Sequence, residues 1–234
     1  MRGCLFVLVL AAAVLGTAAW FGSPIVASSL ISGALQNAGY RAASSTVTAT
    51  SSPPLKLVIG RADQVEIAGT DVAFRTFHAA SADLVLTDVD VFNRSAGHIS
   101  GRIAGAEMTT TAGDPTGADI AIDGAAGAAD AAIVVDAATV SRLVKATLLQ
   151  KFGYAVTTAQ LVAPDILRIA APGVTVEGRL LVDSSGAIAF STSLGSSPIL
   201  SLDPSFPLQL RSVRIEAGNL RIDAVLDANA LLSG

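Results

Sequence analysis

Two alternating segments close to the C-terminal end constrain this chain more than any other feature. In residues 220–227, Leu220, Ile222, Ala224 and Leu226 fall on one side, while Arg221, Asp223 and Asp227 fall mostly on the other. A period of two over that length specifies a strand with one dry and one wet face. Residues 208–216 precede it across Ala217-Gly218-Asn219, a hairpin turn. A similar unit lies upstream, where Val174, Val176, Leu180 and Val182 alternate with Thr175, Glu177, Arg179 and Asp183. There Asp183-Ser184-Ser185-Gly186 turns the chain into residues 187–193. Consecutive hairpins dictate an antiparallel sheet, and its dry face needs a cover.

Helices supply that cover. Residues 136–154 carry the clearest amphipathic pattern: Asp136 caps the first turn, Val140, Leu143, Val144 and Leu148 form one apolar stripe, and Gly153 stops the helix. Ser141, Arg142, Lys145 and Gln150 fall mostly elsewhere around the axis. Residues 24–38 form a candidate first helix, with Pro24 at an early position and Ile25, Leu30, Ile31 and Leu35 on a broad apolar face. Leu149-Gln150-x-x-Gly153-Tyr154 echoes Leu35-Gln36-x-x-Gly39-Tyr40, and each closes an apolar segment before strand-like sequence. The echo is compatible with a two-fold pseudo-repeat (24–111 and 133–234) and equally with coincidence.

Between the two helices, residues 44–50 are rich in Ser and Thr, and Pro53-Pro54 marks a break. Residues 55–59 and 65–74 read as strands separated by a turn at Gly60-Arg61-Ala62-Asp63, followed by strands at 84–92 and 99–108. Residues 109–132 shift to Gly, Ala, Thr and Asp, which predicts a flexible loop or loosely packed edge, with 112–132 as the connection between the halves. Residues 133–135 return to order, and 196–207 read as a loop with three prolines. The architecture expected is α+β: an antiparallel sheet with two amphipathic helices packed on one face, in a single domain over 24–234.

Residues 3–21 form an apolar run after Met1-Arg2, so 1–23 are expected to be a signal peptide or an N-terminal membrane anchor, placing the rest outside the cytoplasm. The single cysteine, Cys4, lies within that run, so no intramolecular disulfide and no cysteine-based metal site is available. The 15 Lys and Arg against 19 Asp and Glu are spread along the chain without a basic block, which argues against nucleic acid as a partner.

Signatures of chemistry are sparse. The sequence has no G-x-S-x-G elbow, Walker A loop, G-x-G-x-x-G or H-E-x-x-H. His78 and His98 are the only histidines, both in polar, strand-flanking contexts that suit a surface. Asp88 and Asp90, two apart on a predicted strand, share a face that could hold a divalent cation, but without a third ligand a solvated strand end is the better reading. Asp119, Asp123 and Asp130 lack calcium-loop spacing. No catalytic residue, metal site or cofactor is assigned, and the chain is read as a non-enzyme. Its positive signal is aliphatic: Leu30, Leu35, Val140, Leu143, Val144 and Leu148 can line a cleft for acyl chains, and the same residues can fill a core.

The stretch Pro53-Pro54-Leu55-Lys56-Leu57-Val58-Ile59-Gly60-Arg61-Ala62-Asp63-Gln64-Val65-Glu66-Ile67, followed by Ala82-Asp83-Leu84-Val85-Leu86-Thr87-Asp88-Val89, resembles the LmeA-like phospholipid-binding proteins of the actinobacterial envelope. The helix at 136–152, the strand at 174–182 and Pro207-Leu208 before the last hairpin are similar in order and spacing. This resemblance implies a fold related to the tubular lipid-binding proteins, in which helices and a long curved antiparallel β-sheet enclose a hydrophobic groove. It implies an extracytoplasmic phospholipid-binding or lipid-transfer protein, with phospholipid and a membrane surface as partners. Arg61 is the one family-patterned cation, a headgroup candidate that a turn-stabilising role also explains. The alternative is a structural or scaffolding envelope domain with a dry core that binds a protein partner.

Overall fold

The computed structural model describes residues 32–33, 36, 39–74, 77–109, 115–153, 155–193, 195–200 and 207–233. Strands β1 (Tyr40–Arg41) and β2 (Ser44–Thr50) lead into a 3₁₀ helix (Pro54–Ile59). A meander follows through β3 (Arg61–Phe74), β4 (Phe77–Asp90), β5 (His98–Thr109), β6 (Pro115–Ala125) and β7 (Ala129–Val135). Helix α1 (Ala137–Phe152) then connects to a second meander of β8 (Thr158–Val162), β9 (Ile166–Ala171), β10 (Val174–Val182), β11 (Ile188–Thr192) and β12 (Gly195–Leu200). The hairpin β13 (Leu208–Glu216) and β14 (Asn219–Leu226) and the short helix α2 (Ala228–Ser233) complete the described chain.

Two antiparallel sheets result. The larger runs β1-β3-β4-β5-β6-β7-β14-β13, with β2 also paired to β3, and the smaller runs β12-β11-β10-β9-β8. The C-terminal hairpin thus returns to the first meander, with β14 beside β7 and Ile222 opposite Ile133. The sheets meet where the backbone N–H of Ile215 donates to the carbonyl of Pro164 at 2.6 Å. Val65, Leu86, Ile120, Ile133 and Ile222 of the larger sheet, Leu167 and Ile188 of the smaller, and Val140 and Val144 of α1 belong to one aliphatic core. Burial of each such side chain is worth about 1.5–3 kcal/mol.

Local irregularities form a row across the larger sheet. On β3 the buried positions run Val65, Ile67 and then Val72, so the inward face moves by one residue at Asp71, which has φ 47. Its neighbour Ala80 lies between the paired residues Ser81 and Ala79. Two interfaces on from β3–β4, at β5–β6, the register shifts between Ile103 and Ala106 at Gly105, φ 60. The freed Gly105 N–H donates to Asp119 Oδ1 at 3.0 Å. Asp and Gly tolerate left-handed backbone, and bulges sharpen the local twist of a sheet. Asp119, weighed above as a cation ligand, therefore satisfies a bulge.

Several expectations need correction. Residues 55–59 form a 3₁₀ helix rather than a strand: Pro53 and Pro54 open it, and Gly60, at φ 75, returns its N–H to the Leu57 carbonyl. Only Gly60 turns, and Arg61 already belongs to β3. The Ser/Thr-rich residues 44–50 are a strand, in keeping with the strand-like sequence expected after Tyr40, and their Ser and Thr positions are exposed. The Gly/Ala-rich 112–132 stretch is mostly β6 and β7, with Ala118, Ile120 and Ile122 buried from one and Ala129, Ala131 and Ile133 from the other. Alanine fits wherever neighbouring strands and side chains approach closely, so this stretch is sheet interior rather than a flexible loop or loosely packed edge. Residues 196–200 of the stretch read as a loop belong to β12 (Gly195–Leu200). Of the two expected helices, α1 is present with the predicted cap and stop, whereas the candidate helix at 24–38 lies outside the described residues except for positions 32, 33 and 36, which are helical.

Candidate lipid-binding site

Helix α1 starts where Asp136 accepts the Thr139 backbone N–H and ends where Gly153, at φ 69, bonds to the Leu149 carbonyl. These two ends set its rotation. It packs chiefly on β8 and also touches β6, β12 and β14, so it bridges the two sheets. Val140 is 2% and Val144 0% exposed, Leu143 is buried, and Leu148 is partly buried against the core. Val140, Val144 and Leu148 of the predicted stripe therefore face the core shared by the two sheets. Leu30 and Leu35 lie outside the described residues.

Sequence reasoning missed Thr147. Helical spacing places it in the middle of the same buried stripe, one turn beyond Leu143 and Val144. It is 2% exposed, yet its Oγ1 has no hydrogen-bond partner. A hydroxyl left unpaired in an aliphatic seam costs about 1–3 kcal/mol, which makes it the chemically notable atom there. Thr139, also buried, differs because its hydroxyl accepts from Arg142 Nη2 at 3.0 Å.

Arg61 projects from the start of β3, with its side chain 66% exposed, and its Nε lies 3.7 Å from Asp90 Oδ2. Asp90 is itself committed to the β4–β5 loop. It accepts the N–H groups of Phe92 and Asn93, and the Asn93 backbone bond foremost holds its carboxyl below the usual carboxylate range. Asp88 takes φ 52 where the β3–β4 pairing is interrupted. His98 lies 3.2 Å from Asp123, and His78 is exposed on β4. Among the described residues no group of three or more His, Cys, Asp or Glu could hold a metal ion.

A cleft of about 470 Å³ lies on the outer face of β6, β7, β13 and β14. Alanines Ala121 and Ala132, directly opposite each other, give it a shallow floor. Asp123, Asp130, Arg211, Ser212, Arg221 and Asp223 form its polar walls. Asp223 accepts from Ser212 Oγ at 2.7 Å and lies 3.3 Å from Arg221 Nε. The Ser212 bond is the main cause of its lowered pKa, with the arginines adding to it. Arg221 is thus already neutralised, and three carboxylates share the cleft, so it is poorly suited to a phosphate. Polar alternation in β14 foreshadows it, but its closure depends on strands 90 residues apart.

The described residues define a β-rich protein with an aliphatic interior bridged by a single long helix, and none of their helices is long and apolar enough to cross a membrane. Residues 17–225 match the model of the LmeA-like phospholipid-binding family, and the chain belongs to that family. Neither a curated protein nor a solved structure matches it.

Proposed function

We propose that this chain is a non-enzymatic, extracytoplasmic phospholipid-binding or lipid-transfer protein of the cell envelope, which holds acyl chains in the aliphatic seam between α1 and the two sheets. The observation that carries this reading is family membership over residues 17–225. The seam supplies suitable chemistry, since each methylene moved from water gains about 0.8 kcal/mol and the Thr147 hydroxyl offers a polar contact to an ester or headgroup oxygen. On the seam face of α1, Leu148 is only partly buried, so the acyl chain enters near Leu148, between that end of the helix and β8. Residues 1–23 act as the export signal or anchor.

The test is mass spectrometry of an organic extract from the purified full-length chain. Phospholipid in near-equimolar amount is expected, and repeated recovery of stable, lipid-free protein overturns the reading. The second reading, a scaffolding envelope domain with a dry core, is favoured by the complete burial of Val144 and by that lipid-free outcome.

A further inference from the structure

We propose that the 3₁₀ helix and the β4–β5 loop together form a rigid docking tip that inserts into the interface of a phospholipid bilayer. Leu55, Val58, Ile59 and Phe92 are between 52% and 75% exposed, a high degree for large apolar side chains. They lie together. The Phe92 ring covers Gly60 so closely that an added Cβ there would meet its Cε2 at 2.5 Å, and the Val91 N–H donates to the Gly60 carbonyl at 2.8 Å. With three residues per turn, Leu55 and Val58 share one line of the 3₁₀ helix, Lys56 and Ile59 a second, and Leu57 points inward. Leu57 is indeed buried.

The tip is held in place from beneath. Asp63 accepts the Ser52 N–H at 2.7 Å and Lys56 Nζ at 2.9 Å, and Asp90 accepts the N–H groups of the Phe92 loop. These carboxylates are engaged in fixing turns, and Lys56 is held by Asp63, whereas Arg61 and Arg94 reach outward. Arg61 is 66% exposed against 22% for its partner Asp90, and Arg94 makes no ion pair among the described residues. Lys56, Arg61 and Arg94 are balanced by Asp63, Asp88 and Asp90 in count, so attachment is driven by the apolar side chains, with outward cations favouring lipid phosphates. Exposed apolar side chains beside exposed arginines match the chemistry of a bilayer surface, where acyl chains meet phosphates.

The tip also has a consistent place in the fold. β3 begins and β4 ends beside it, whereas α1 leaves the larger sheet from the opposite end, after β7. The choice of bilayer as partner rests on the lipid-binding reading above, but the tip and the seam are separate surfaces and are separable by experiment.

The experiment uses the full-length chain with Cys4→Ser and a single environment-sensitive fluorophore attached through Phe92→Cys or, independently, Val58→Cys, with Ser184→Cys as the control. Vesicles of phosphatidylcholine and phosphatidylglycerol, with and without brominated acyl chains, are the probe. Blue-shifted emission and bromine quenching at positions 92 and 58, but not at 184, are expected. Labels at 92 and 58 that stay in water while the chain is vesicle-bound overturn the proposal. So do labels already shielded without vesicles, which would mean coverage by the N-terminal segment, or by a second copy if shielding grows with protein concentration. Lipid content of the same preparations separates the two readings: insertion without co-purified phospholipid removes the seam and keeps the tip, and the reverse removes the tip alone.

Discussion

The backbone N–H of Thr139 lies 2.9 Å from Oδ1 of Asp136, so the helix that bridges the two sheets begins on a single side-chain cap. Asp136→Ala removes it and is expected to cost about 1 kcal/mol in urea denaturation. Hydrogen bonds from the Thr139 side chain and then its backbone hold the Asp136 pKa below its ordinary value. A lowered native pKa stabilises the fold above the unfolded carboxylate range, and that contribution disappears as pH falls through the native value. The stability difference between wild type and Asp136→Ala should therefore be full at neutral pH and shrink in acid; a gap that stays constant at low pH contradicts this.

The unpartnered Thr147 hydroxyl leads to an opposite sign. Thr147→Val keeps the shape and removes the buried polar atom, so the lipid-free protein should gain about 1 kcal/mol, read as a higher urea midpoint at unchanged slope. If the hydroxyl contacts bound lipid, the same variant retains less of it in organic extracts.

Position along α1 separates packing from lining. Val144 is fully buried, and Val144→Asp should abolish folding, because an unpaired carboxylate has no solvation there. Leu148 is only partly buried, and Leu148→Asp should leave folded protein by circular dichroism that retains little lipid. A folded Leu148→Asp chain with wild-type lipid content would show that this side of the helix lines no site.

Gly101, at φ +146, sits against β4, where an added Cβ would collide with the Asp83 carbonyl oxygen and lie 2.9 Å from the Leu84 Cα. Backbone cannot swing aside as a side chain can. Gly101→Ala should therefore cost about 3 kcal/mol or more in thermal unfolding, whereas Gly117→Ala, with open space around it, should stay within about 0.5 kcal/mol.

The hairpins at 174–193 and 208–227 were legible because β10, β13 and β14 each have one drier face, so alternation survives in their residue types, and turn residues mark the start of β11, which is buried on both faces. Other elements hide for identifiable reasons. In β3 and β4, Asp71 and Asp88 shift the face, and a strict period of two breaks although the strand continues. Leu55-Lys56-Leu57-Val58-Ile59 has the composition of a strand, but the flanking prolines and Gly60 wind it into a 3₁₀ turn. In β6 and β7, alanine occupies both buried and exposed positions, which flattens the contrast that alternation needs. The α1 stripe was readable from its spacing. Thr147 was not, because a threonine within an apolar stripe looks like an interruption until its environment is seen.

The outermost strand β13 has a consequence for the protein's behaviour in a crowded compartment. Its pairing with β14 slips between Leu210 and Ser212, Pro207 precedes it, and Arg211 and Arg214 project along it. A kinked, cationic border is a poor template for strand addition by another chain. The opposite border, β2, ends shortly before Pro53-Pro54. An open sheet of this length, built on aliphatic residues, would otherwise be a seed for polymerisation, and these borders disfavour edge-to-edge growth of the larger sheet.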